Sequence, residues 1–122
     1  MSAQLTRELA AAVDAELPRE RRAQAAAEIV RAVRAYRWVG IYDVGDDEIS
    51  LIGQSGVPAQ EEAVRSQSTV AGRSRTVVPI LGAESGIVIG TLDAEGDRAD
   101  AFSDEEVAFL EDCAAVLRPL YD

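Results

Sequence analysis

The 122-residue sequence predicts an α+β domain, an antiparallel β-sheet of about four strands with N-terminal and C-terminal helices packed on one face. Three observations carry that expectation. Apolar residues recur at helical spacing at both ends of the chain. Between the ends lie four β-branched or alternating runs, grouped in two pairs, each pair joined by a glycine-containing turn. The length and a hydrophobic content of 48% suit one compact domain. The expected division is N-terminal helices over 1–36, a sheet core over 37–102 with a shortened lid over 55–72, and a C-terminal helix over 103–122.

Leu5, Leu9, Val13 and Leu17 recur every four residues, so 2–17 reads as an amphipathic helix. Pro18 ends it and starts the next, which runs from about Arg19 to Tyr36 with a stripe of Ala26, Ile29, Val30, Val33 and Tyr36. Its alanines permit close packing. The arginines of "PRERR" read as a solvated helix start, able to pair with acids of another chain. The first strand is Arg37–Val44, and "GDD" turns the chain into a second strand over Glu48–Gly53. Pro58 and "AQEEAV" can start a short helix within an otherwise loop-like link. "RSRTVVPIL", Arg73–Leu81, is the third strand. "GAESG" turns into the fourth, "IVIGTLD", Ile87–Asp93, and an acidic loop follows. Ser103 caps the last helix, with Glu106 completing a capping box and Asp104 and Glu105 at the positive end of its dipole. Two apolar stripes on this helix predict cover on two sides.

The formal net charge of −10 repels phosphate backbones, which argues against nucleic acid and anionic membranes as partners. No apolar run approaches the ~20 residues that span a bilayer. The N-terminus is charged and helical in pattern rather than a signal peptide, so a cytoplasmic location is expected. Cys113, the single cysteine, sits in a helical apolar pattern and reads as a buried, inert thiol. The chain has no histidine, and all 12 of its basic residues are arginine. Ser-His and Cys-His nucleophile pairs and lysine Schiff-base chemistry are thereby excluded.

"YRWVGIYDV" places Trp38, Gly40 and Tyr42 on one face of a strand. "RWVGIY", "SGVPA", "VVPI", "IGTLD" and "FSDEE" then follow in an order that resembles GAF domains, small α/β sensory modules with helices on one sheet face and a ligand pocket on the other. The resemblance covers Tyr36 to Tyr121. Within that superfamily the chain is most similar to free methionine-(R)-sulfoxide reductases. The resemblance implies that Trp38 and Tyr42 line the pocket and that Asp93 and Glu95 are its two carboxylates. The chain departs from the pattern in four ways: the lid is short, Gln60 stands in place of a cysteine, Ser68 falls at the catalytic cysteine and Arg75 falls at a pocket glutamate. A sulfoxide reductase needs one thiolate to attack sulfur and a second thiol to resolve the sulfenic acid.

Each feature also has a plainer reading. Trp38 and Tyr42 can be ordinary packed aromatics. Arg75 can recognise a carboxylate ligand with its fork, or it can pair internally with Asp93 and neutralise the vacated site. Glu95 can lie exposed at the far end of its strand. "DAEGDRAD" fails as a calcium loop because its glycine is misplaced. The function expected is a non-catalytic GAF-like interaction or sensory module, a homodimer through its terminal helices, with a small metabolite as possible ligand at Trp38, Tyr42, Ser68, Arg75, Asp93 and Glu95. The alternative is a residual free methionine-(R)-sulfoxide reductase. No cofactor and no metal are expected. The chain shows no output domain, so any signal is expected to leave through a separate partner.

Overall fold

A computed structural model describes residues 1–58, 74–98 and 100–122. Helix α1 (Ala3–Asp14) starts at Ser2, whose Oγ accepts from the Leu5 N–H at 3.1 Å, and it buries Leu5, Leu9 and Val13. It stops three residues short of Leu17, which is 47% exposed instead of continuing the stripe. The cause is local. Leu17 precedes a proline and so favours extended backbone. Arg22 then reaches back, its Nη1 donating to the Val13 carbonyl at 2.7 Å and its Nε to the Leu17 carbonyl at 3.0 Å. Arg19 pairs with Asp43 of the sheet at 2.8 Å. These two arginines of "PRERR" therefore make contacts within the chain.

Helix α2 (Arg19–Arg34) buries Ala23, Ala26, Ala27 and Val30 and ends at Ala35 in the left-handed region (φ 52°). Its small residues let the backbone lie close to the sheet. A Cβ added at Gly53 would sit 2.5 Å from the Ala23 carbonyl carbon. Val33, expected in the stripe, is 47% exposed.

Four strands form one antiparallel sheet in the order β2-β1-β4-β3. They are β1 (Trp38–Val44), β2 (Ile49–Gly56), β3 (Ser74–Leu81) and β4 (Val88–Gly96). Both hairpins form, and β1 pairs β4 at the centre. Two strands run longer than expected. Ser55 and Gly56, assigned above to the lid, belong to β2, and the remainder of the proposed lid with its short helix lies outside the described residues apart from Val57 and Pro58. β4 runs on through Glu95 to Gly96 because β1 and β3 both offer it a ladder there. The register shifts between Ile41 and Tyr42 on β1, and again at Ile80 and Leu81 on β3.

Helix α3 (Asp104–Val116) is capped by Ser103, whose Oγ accepts from the Glu106 N–H at 3.2 Å. The Glu106 carboxylate turns away from the expected box, accepting from the Tyr36 hydroxyl at 2.6 Å and from Arg34 at 3.3 Å. Burial and that carboxylate together push the Tyr36 pKa up. The C-terminal helix does not reach the chain end. It breaks at Val116 into a 3-10 turn over Arg118–Tyr121, with Pro119 in its first turn.

The core lies between the helices and one sheet face: Val39, Ile41, Ile52, Val78, Ile80, Leu92 and Ala94 pack on Leu9, Val30, Phe109, Leu110 and Leu117. Each such leucine contributes about 1.5–3 kcal/mol by leaving water. Among the described residues, no helix is long and apolar enough to cross a membrane.

Candidate functional site

Strand alternation sorts the remaining side chains onto the face away from the helices. The pairing sets them in rungs across the sheet. Gly56, Trp38, Glu95 and Arg75 make the first; Gln54, Gly40, Asp93 and Val77 the second; Leu51, Tyr42, Thr91 and Pro79 the third.

Trp38 is 2% exposed yet stands apart from the helix-side core cluster. Its indole lies flat across Gly40, where an added Cβ would be 2.3 Å from Cη2 and Cζ2. It reaches Gln54 in the second rung and donates Nε1–H to Oε1 at 2.9 Å. Tyr42 meets the indole edge-on, with ring centroids 6.4 Å apart at 64°. The Tyr42 carbonyl accepts from the Tyr121 hydroxyl at 2.6 Å, which ties this strand to the C-terminal turn.

Two carboxylates share this face. Asp93 and Glu95 are each 4% exposed, so Glu95 is an interior group of β4 rather than an exposed strand end. Arg75 reaches diagonally from β3 to place Nη2 2.5 Å from Asp93 Oδ2. Its Cζ stands 5.4 Å from the Trp38 ring centroid, within cation–π range. Burial works against the Arg75 charge. The hydrogen bond and attraction of Asp93, with Tyr42 and Glu95 behind it, outweigh that and raise the guanidinium pKa. Asp93 Oδ1 is buried and, among the described residues, has no hydrogen-bond partner.

The structure thus gathers five of the six residues expected in the site. Ser68 and Gln60 lie outside the described residues. Gln54 went unnoticed in the sequence because β2 was expected to end at Gly53; its signal is an amide in the rung of the glycine that the indole covers. Cys113 is on the other side of the sheet, fully buried in α3 with Sγ 3.8 Å from Met1 Sδ. Burial first, then Asp112, pushes its pKa up to about 12. Among the described residues, no three acidic or thiol side chains converge to hold a metal ion.

Among the described residues, a four-stranded antiparallel sheet of order β2-β1-β4-β3 with helices packed on one face has the arrangement of a GAF-type fold. Solved structures confirm that class. The GAF domain of an Acinetobacter phosphoenolpyruvate-protein phosphotransferase matches with a TM-score of 0.74 at 15% identity, over 98% of this chain and 93% of that one. The free methionine-R-sulfoxide reductase of Neisseria meningitidis, solved in complex with its substrate, gives 0.70 at 21%, over 99% and 92%. A type II enzyme of that name from Thermoplasma acidophilum gives 0.63 at 23%, over 80% and 87%. At these identities the likeness is one of fold. No protein-family profile matches the chain, and no curated protein matches it.

Proposed function

We propose that this chain is a non-catalytic GAF-type module that pairs with a second copy of itself through its helices and keeps the Trp38 face of its sheet for a small ligand in the cytoplasm. The observation that carries the non-catalytic reading is the position of its sole thiol. Cys113 is fully buried on the helix side, held neutral by burial, and the sheet stands between it and Trp38. Sulfoxide reduction by thiolate attack requires an ionised sulfur at the ligand.

Pairing is supported by two clefts of about 400 and 470 Å³ on the outer helical surface, which share Glu8 and Val33. Exposed Met1 and Val33, with Ile29 and Phe109, line this trough, a pattern that fits a self-complementary contact. Light scattering is expected to give twice the monomer mass of 13.0 kDa, reverting to one copy in Val33→Glu. Incubation with free methionine-(R)-sulfoxide and a dithiol is expected to give no turnover. Turnover that disappears in Cys113→Ala would establish the residual reductase instead. A ligand for the sheet face would announce itself as a saturable rise in melting temperature lost in Trp38→Ala.

A further inference from the structure

We propose that Trp38 and Asp93, on adjacent rungs of the sheet, form a guanidinium-binding site, and that in this chain Arg75 is its tethered occupant. Three features point to that chemistry. A planar cation belongs over an indole face, where the Arg75 Cζ stands. Beneath it, Asp93 is a buried carboxylate whose single charge is balanced by this one hydrogen bond at 2.5 Å. The pairing is also incomplete in a way a tether explains. Among the described residues Asp93 Oδ1 has no hydrogen-bond partner, and Arg75 bonds the carboxylate through Nη2 alone. A free guanidinium, unconstrained by a backbone on β3, can turn to give both carboxylate oxygens a parallel N–H bond.

Arg75 nevertheless holds the place, because a side chain anchored a few bonds away acts at an effective concentration in the millimolar range or above. Its side chain is 39% exposed and comes from an edge strand, so it can leave without unpacking the core. The site therefore rejects cationic ligands while Arg75 is present and admits planar ones when it is gone. This holds whether or not the sheet face takes any natural ligand, so it stands or falls separately from the proposed function.

Methylguanidinium chloride is the probe, titrated into the full chain at constant ionic strength with sodium chloride as the balance. Trp38, the only tryptophan, reports from the site itself. Arg75→Ala is expected to melt below the native chain, to show a saturable change in Trp38 emission, and to gain about 5 °C in Tm at ten times the dissociation constant. The native chain and Arg75→Ala/Asp93→Asn are expected to show neither response. If Arg75→Ala does not fold alone, a higher refolding yield in methylguanidinium than in sodium chloride carries the same support, and equal yields overturn the proposal. It is also overturned if folded Arg75→Ala ignores the probe, or if the native chain or the double variant responds as strongly.

Discussion

Gly40→Ala tests the arrangement of the site at its tightest point. The new Cβ would lie 2.3 Å from two carbons of the indole, over an angstrom inside contact distance. Because Trp38 is 2% exposed and held by Gln54, Tyr42 and Arg75, it has no open space to move into without losing those partners. Overpacking of this kind costs about 1–3 kcal/mol. Loss of the 2.9 Å bond to Gln54 adds about 1 kcal/mol. The expected destabilisation is therefore about 2–4 kcal/mol, or a fall in Tm of about 8–16 °C for a chain of this length. Urea denaturation followed by far-ultraviolet circular dichroism measures it, with a red-shifted native Trp38 emission spectrum as the second sign where the indole is present. The decisive comparison is the same substitution in a Trp38→Leu background, where the indole is absent and the cost should fall below about 1 kcal/mol. An equal cost in both backgrounds would show that the indole is not what forbids a side chain at position 40.

Three further outcomes follow from the same contacts. Gly53→Ala should cost more than Gly40→Ala, about 3 kcal/mol or above, because its Cβ would meet the backbone of Ala23 and Gln24 rather than a movable ring; chemical denaturation ranks the two. Tyr121→Phe should cost about 1 kcal/mol through loss of the bond to the Tyr42 carbonyl, with m unchanged in urea. Cys113 has its pKa raised from 9.0 to about 12, so the native state holds a proton that the unfolded state releases. The stability this contributes is complete below about pH 8 and is lost as the pH climbs from 9 toward 12, with a limiting slope near 1.4 kcal/mol per pH unit. Unfolding curves of the native chain and Cys113→Ala should converge over that range; parallel curves would show the thiol to be accessible.

The order of elements was legible because each carries a strong local pattern: period four in α1, β-branched runs in β1, β3 and β4, and a serine cap before α3. The end of α1 has a local cause that the apolar period masks: the period of four runs on to Leu17, but the proline after it favours extended backbone and Arg22 takes the carbonyls of Val13 and Leu17. The missed strand ends have tertiary causes. The last turns of β2 and β4 are polar and glycine-containing, "QSG" and "AEG", and count as strand only because neighbours on the sheet take up their backbone groups. Val33 looked like core because periodicity reports that a face is apolar and not what it packs on. In the site, alternation was enough to unite Trp38, Gly40 and Tyr42. It could not show that the indole lies across the glycine, since that depends on Gln54 arriving from another strand.

Strand β4 joins the two halves of the molecule. Its even positions, Leu92 and Ala94, lie in the helix-side core, and its odd positions, Asp93 and Glu95, are buried on the site face. A slip of one residue would send both carboxylates into the core and two apolar side chains to the site, so the register that stabilises the fold is also the one that aims the acids. Burying a carboxylate without a counter-charge costs several kcal/mol, so in this chain Asp93 is tolerable because Arg75 comes to it. The arginine therefore has two roles that a double-mutant cycle separates. Asp93→Asn should recover most of the stability lost in Arg75→Ala, because it removes the uncompensated charge. It should recover none of the recognition, because the carboxylate that a guanidinium would seek has gone with it.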